Sequence, residues 1–157
     1  MKKEVVSVYV DNKANVLSRV VSLYGRRGFN IDSLTVSATN DPGISRITIV
    51  FEGDNLTLHQ IAAQTEKLEV VRSIKTLDGS KSFFRELLMI KVKADQSKRR
   101  EIKEIVDIFR AKIINLTKEE MVLELTGAPE KLDAFLDLIE DYEIVDICRT
   151  GVTGIEK

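Results

Sequence analysis

A polar corner between an apolar strand pattern and a helical pattern carries the residues best suited to binding a small ligand. It is the stretch DNKANVLSRV, residues 11–20. The first N–H groups of a helix lack internal partners and lie at the positive end of its dipole, so the main chain at Asn15, Val16 and Leu17 favours an anion. A phosphate-binding loop needs several glycines, and DNKANV contains none. We therefore expect a carboxylate at this corner.

Two side-chain amides extend the chemistry available to such a ligand. Asn12 precedes the helical pattern and Asn30 follows it, and each amide offers both donors and acceptors. Together they would hold the ammonium and carboxylate of a free amino acid, whose side chain would lie against Val16, Leu17 and Ile31. That lining favours a branched aliphatic amino acid. Asparagines at such corners also serve simply as caps and turn residues, and the pairing of two corners favours binding.

The first half of the chain contains the elements that must position this corner. Period-two alternation predicts strands over residues 5–10, 31–37, 45–52 and 70–77. Helical spacing predicts one helix through Leu17, Val20, Val21 and Tyr24 and another through Leu58, Ile61, Ala62 and Thr65. Gly28 supplies a left-handed cap after the first helix, and TNDPG (39–43) is a turn.

The second half repeats the same pattern after the polar linker DGSKS (78–82). Strands are predicted over residues 87–93, 112–117, 121–126 and 144–150. One helix is predicted through Ile102, Ile105, Val106 and Phe109, and another, after Pro129, through Leu132, Phe135, Leu136 and Ile139. Each half therefore has the order βαββαβ.

This order is typical of the ferredoxin-like fold, a four-stranded antiparallel sheet with both helices on one face. We predict an α+β protein with two tandem ferredoxin-like domains, residues 1–78 and 84–157. The first strand, VVSVYV, has valines on both faces, so its open face needs a cover. The second strand, DSLTVS, is an unprotected edge, and we expect it to pair with its own copy in a homodimer.

Composition argues against several other functions. With 24 Lys and Arg against 25 Asp and Glu, the chain has no net field for nucleic acid or an anionic membrane. Its one histidine, His59, and one cysteine, Cys148, belong to no ligand-spaced cluster, so no metal site is predicted. Cys148 lies in the apolar run IVDIC and is expected to be buried. No signal peptide or membrane span is predicted, and a reducing cytoplasm fits the single cysteine.

Several stretches resemble a known family. NKANVLSRVVSLYGRRGFNIDSLTV (12–36) and DPGISRITIV (41–50) are similar to the amino-terminal ACT domain of the small, regulatory subunit of acetolactate synthase (acetohydroxyacid synthase). The resemblance continues through EIVDIFRAKIINLT (104–117), TGAPEKLDAFL (126–136) and RTGVTGI (149–155). It implies a non-catalytic subunit that activates a large catalytic subunit and confers feedback inhibition by valine or a related branched-chain amino acid. That large subunit is expected to hold thiamine diphosphate, Mg²⁺ and FAD, and this subunit no cofactor.

The resemblance also implies where the effector binds, at the interface of an ACT dimer. It would contact Asn12 and the backbone at Val16 and Leu17 of one subunit, with Asn30 and Ile31 of the facing subunit. The family usually has glycine where this chain has Asn15. Asparagine tolerates positive φ, so the turn survives, and its amide adds a possible contact with the effector.

Three alternatives remain at the level of sequence. A small ferredoxin-like enzyme would need an assembled acid and base, which the inventory lacks. An RRM-type RNA-binding module shares the βαββαβ order but needs stacking aromatics on its central strands, where the first strand offers only Tyr9. A stand-alone ACT-type amino-acid sensor that regulates another biosynthetic enzyme would keep the fold and change the partner.

Overall fold

The computed structural model describes residues 2–157, which form two units. The first unit extends through Phe83 and also includes Gly151–Lys157, and the second is Phe84–Thr150. The sequence pattern assigned residues 151–157 to the second domain, whereas in the structure they pack in the first unit. The chain therefore passes between the units twice.

The first unit is a four-stranded antiparallel sheet with two helices on one face. Its elements are β1 (Lys2–Asp11), α1 (Val16–Arg26), β2 (Ile31–Ala38), β3 (Ile44–Gly53), α2 (Asn55–Glu66) and β4 (Val71–Thr76). The strand order is β2-β3-β1-β4, so β2 is an edge strand, as predicted. In register, Val6 lies opposite Ile49 and Val8 opposite Ile47, and all four side chains are fully buried in the core beneath the helices.

The second unit repeats this arrangement. Its elements are β5 (Ser82–Lys93), α3 (Gln96–Phe109), β6 (Lys112–Leu116), β7 (Glu120–Gly127), α4 (Pro129–Ile139) and β8 (Ile144–Arg149), with strand order β6-β7-β5-β8. Alternate residues of β5 and β7 pack against Phe135 and Leu132 of α4 and Ile102 of α3. The prediction of two ferredoxin-like βαββαβ units is confirmed. A ninth strand, β9 (Thr153–Glu156), belongs to the first unit and was not predicted.

Helix α1 buries a stripe displaced by one residue from the predicted one. Val16, Val20 and Tyr24 are the buried residues of the helix, whereas Leu17 is 40% exposed. Spacing of four residues aligns these three side chains on one face. Tyr24 packs edge-to-face against Phe51, with ring centroids 5.5 Å apart. The displacement leaves Leu17 at the surface of the corner, where a ligand can reach it.

The segment Gly151–Lys157, called the strap below, runs over the face of the first sheet that points away from the helices. The backbone of Val152 forms hydrogen bonds with side chains of β2, and the carbonyl of Gly154 accepts a hydrogen bond from Arg46 of β3. The carboxylate of Glu156 forms an ion pair with Lys75 of β4. Beyond them, Lys157 N–H donates to the carbonyl of Lys81 at 2.9 Å. The strap therefore supplies part of the cover that the valines on both faces of β1 required.

Cys148 is exposed, so the prediction of a buried thiol is wrong. It lies on the edge strand β8 opposite Met89 of β5, which is itself 39% exposed, while the neighbouring Leu88 and Ile90 are buried on the helix side. Because residues directly opposite each other share a face, Cys148 lies with Met89 on the face of the second sheet that points away from the helices. None of the helices within residues 2–157 is long and apolar enough to cross a bilayer.

Candidate functional site

The corner between β1 and α1 depends on the left-handed backbone of Asn15. This residue caps the helix with φ 67° and ψ −1°, and its side chain makes no capping hydrogen bond. The hydroxyl of Ser18 donates to the Asn15 carbonyl at 2.9 Å, and the N–H of Arg19 donates to the same oxygen at 3.2 Å. Asparagine is one of the few residues besides glycine that adopt this conformation readily. The turn therefore forms without glycine, as predicted.

The helix N-terminus leaves three N–H groups available. Within residues 2–157, the N–H groups of Val16, Leu17 and Ser18 make no hydrogen bond. These groups carry the positive end of the helix dipole. The side chain of Val16 is only 4% exposed and belongs to the core, so this residue can offer a ligand only its backbone. The apolar contact at the corner comes from the exposed side chain of Leu17.

Asn12 has a structural role that the sequence did not reveal. Its N–H donates to the carbonyl of Gly43 at 2.9 Å, and its side-chain Nδ2 donates to the carbonyl of Pro42 at 2.9 Å. The turn that receives these bonds is itself fixed, because the N–H of Gly43 donates to the Asp41 carboxylate at 2.8 Å. The TNDPG turn was predicted, but its hydrogen bonds with Asn12 were not. Asn12 keeps its Oδ1 as an acceptor suited to an ammonium group.

Asn30 and Ile31 lie at the opposite end of the first sheet. Asp11, just before the corner, is opposite Ile44, whereas Ile31 is opposite Phe51 on the same strand β3. Ile44 and Phe51 are seven residues apart, which corresponds to about 23 Å along a strand. One chain therefore does not bring Asn12 and Asn30 together around one small ligand.

Charges near the corner do not oppose an anion. Asp11 is paired with Arg72 through a 2.6 Å contact between the carboxylate and Nε, and the Asp11 side chain is only 14% exposed. Among residues 2–157, no group of three or more His, Cys, Asp or Glu is arranged to hold a metal ion. His59 is exposed on α2. The corner thus combines free N–H groups, one amide oxygen and one apolar side chain, a set of groups suited to binding a small ligand.

Comparison with known proteins agrees with this arrangement. Residues 85–157 match the model for "Small subunit of acetolactate synthase", and residues 6–73 match that for "AHAS small subunit-like ACT domain". The probable acetolactate synthase small subunit of Archaeoglobus fulgidus is 43% identical over 99% of this chain and 97% of its own length. The chain belongs to the acetolactate synthase small-subunit family.

Other members of the acetolactate synthase small-subunit family are similarly close. The isozyme 3 small subunit of Escherichia coli is 40% identical over 99% of this chain and 96% of its own length. The crystal structure of the acetolactate synthase small subunit from Thermotoga maritima has a TM-score of 0.92 at 38% identity, covering 100% of this chain and 98% of the other. The first unit is accordingly an ACT domain, and the second is the carboxyl-terminal domain of the family.

Proposed function

We propose that this chain is the non-catalytic regulatory subunit of an acetolactate synthase. It associates with the large catalytic subunit in the cytoplasm, raises its activity, and confers feedback inhibition by valine or a related branched-chain amino acid. Membership of the small-subunit family and the ligand-ready corner of the ACT domain support this function. Thiamine diphosphate, Mg²⁺ and FAD belong to the catalytic subunit in this proposal, and this chain holds no cofactor.

The effector binds between two copies of the first unit. The observation that carries this step is the separation of about 23 Å between the two halves of the site. Edge strand β2 begins at Ile31 near one half and ends at Ala38 near the other. If β2 pairs antiparallel with β2 of a second copy, the start of one strand lies beside the end of the other. That pairing carries Asn30 and Ile31 of the partner subunit towards the corner, and the site is incomplete without it.

Each group of the corner has a role in this complex. The effector carboxylate accepts from the N–H groups of Val16 and Leu17, where the helix dipole favours negative charge. The ammonium donates to the Oδ1 of Asn12, and the aliphatic side chain packs on Leu17 and on Ile31 of the facing subunit. The side chain of Asn15, which makes no capping bond, lies free to contact the effector.

Inhibition then follows from linkage. An effector that binds one arrangement of the dimer more tightly than the other shifts the equilibrium between the two arrangements. The size of the shift is the difference between its two binding free energies, typically about 1 to 3 kcal/mol. No bond is made or broken in this subunit, and the chemistry stays with the catalytic partner.

The test is Asn30→Lys, measured by acetolactate formation with the purified catalytic subunit over a titration of valine, leucine and isoleucine. Inhibition is expected to weaken at least tenfold while activation persists, because the change alters the effector site and leaves the fold intact. Asn115→Lys, an exposed asparagine on β6, is the matched control and should leave both properties unchanged. Unchanged inhibition in Asn30→Lys would refute the site.

A stand-alone amino-acid sensor is the alternative, and co-purification separates it from the proposal. Recovery of this chain with a large thiamine-dependent subunit supports the regulatory-subunit function. Effector binding by calorimetry without activation of any such subunit supports the sensor.

A further inference from the structure

The strap makes two hydrogen bonds to the one strand that the proposed dimer uses. The N–H of Val152 donates to the hydroxyl of Ser33 at 3.3 Å, and the hydroxyl of Thr35 donates to the carbonyl of Val152 at 3.2 Å. Val152 is only 7% exposed. Both polar groups of one strap residue are thus satisfied by residues i and i+2 of β2, which share the face away from the helices.

The middle of the strap is fixed to the two inner strands, β3 and β1. The guanidinium of Arg46 donates to the carbonyl of Gly154 and, through Nε, to the hydroxyl of Ser7 on β1 at 2.8 Å. The same guanidinium lies 5.5 Å from the ring centroid of Tyr9. Arg46 therefore anchors the strap to β3 and β1, so β2 is connected to the sheet interior by a second route besides its ladder with β3.

The place where the strap holds β2 is next to an irregularity. The register of β2 against β3 shifts between Ile31 and Ser33. A bulge increases local twist and bends the strand, so the direction of β2 depends on what fixes its residues on either side. Ser33 lies immediately after the shift, and Ile31, part of the proposed effector site, lies immediately before it.

Space at this contact is tight. Gly151 has φ +87°, and a Cβ added there would lie 2.9 Å from the Cβ of Ser33 and 3.6 Å from the N of Leu34. Only glycine fits between the strap and β2, because it lacks the Cβ and adopts positive φ freely. The backbone of the strap therefore rests directly on the strand and limits its movement.

We propose that the strap is a positioning element for the dimer edge, with Thr35 and Ser33 transmitting its effect. By holding β2 beside its bulge, the strap preorganises the free edge for pairing with a second copy. Undocking it weakens association of the two copies, and with it the effector site that the pairing completes. This inference rests on the proposed dimer. It adds that the contacts of Ser33 and Thr35 with the strap set how tightly the two copies associate.

The test measures the dimer dissociation constant of the full chain by sedimentation velocity across concentration. Thr35→Val removes the hydroxyl donor with little change in shape, and loss of one such bond predicts a dissociation constant raised about two- to tenfold. Thr35→Ser, which keeps the hydroxyl, should restore wild-type association. Thr76→Val, a threonine on the opposite edge strand β4, is the matched control and should leave association unchanged.

A second variant separates the strap from a direct effect at the edge. Gly151→Ala changes the strap and no residue of β2, and it should weaken association in the same direction. The double variant should be no weaker than the more affected single variant, because both act by undocking one element. Additive effects, or wild-type association in Gly151→Ala with the amide of Val152 exchanging faster, would overturn the inference. A wild-type chain that stays monomeric at every concentration would refute the dimer itself.

Discussion

The energetic contribution of the close contact between the strap and β2 can be measured by replacing Gly151 with alanine. The left-handed backbone costs an L-residue about 1 to 2 kcal/mol. The new Cβ would lie 2.9 Å from the Cβ of Ser33, and overpacking of this kind typically costs about 1 to 3 kcal/mol. We expect Gly151→Ala to lower the free energy of unfolding by about 2 to 5 kcal/mol, with faster amide exchange at Val152.

Gly28→Ala is the matched control for this change. Gly28 also has a positive φ, +75°, but an added Cβ there meets nothing within 4 Å. It therefore carries the backbone cost alone, about 1 to 2 kcal/mol. The difference between the two variants, measured by urea unfolding followed by circular dichroism, isolates the steric contact with Ser33.

A double-mutant cycle identifies the atom responsible. Ser33→Gly removes the Cβ that the alanine would meet, so it should recover about 1 kcal/mol or more in the Gly151→Ala background compared with its effect alone. Equal costs for Gly151→Ala and Gly28→Ala, with no coupling to Ser33 and unchanged exchange at Val152, would refute the contact.

Two predictions concern pH. The Asp95 carboxylate caps α3 by accepting from Ser97 and Lys98, and these hydrogen bonds, that of the Ser97 side chain foremost, lower its pKa. Its contribution to stability is present above about pH 4 and is lost as the pH falls through the lowered pKa, so Asp95→Ala should lower the melting temperature at pH 7 and have a progressively smaller effect as the pH is lowered below 4. Burial raises the pKa of Tyr24 above its ordinary value of 10.0, and the nearby Thr65 side chain offsets only part of that rise, because the phenol oxygen has no hydrogen-bond partner among residues 2–157. The folded state thus favours the neutral phenol. The resulting contribution to the free energy of unfolding is present below pH 10 and is lost as the pH rises through the raised pKa. Titration of absorbance at 295 nm should lose a step above pH 10 in Tyr24→Phe, and an unchanged titration would contradict the burial of this phenol.

The elements with strong periodicity could be predicted from the sequence, and so could the turn between β1 and α1. The alternating residues Ile47, Ile49 and Phe51 of β3 are fully buried in the core of the first unit, so pattern and structure agree. The left-handed Asn15 followed from the tolerance of asparagine for positive φ. On α1 the predicted buried stripe began one residue too late, at Leu17 instead of Val16. Helical spacing is satisfied equally well by positions 16, 20 and 24 and by positions 17, 20, 21 and 24.

The strap could not be predicted in the same way. RTGVTGIEK has two glycines and no apolar alternation, so no local rule indicates a strand. It is held by side chains of residues more than 100 positions away, such as Thr35 and Arg46. The use of the Asn12 amide was hidden for a similar reason, since its acceptor, the carbonyl of Pro42, is 30 residues distant. Long-range polar contacts of this kind carry no signature in a single sequence.

The position of the strap has a consequence for biosynthesis. Domains generally fold as they emerge from the ribosome, amino-terminal part first. Here residues 2–83 can form their sheet early. The side chains of Ser33 and Thr35, however, have no strap to bond until positions 151–157 have been translated. In the proposed dimer, nascent chains would therefore gain the supported β2 edge only after the whole of the second unit has been translated, which delays pairing between neighbouring polypeptides on one messenger RNA.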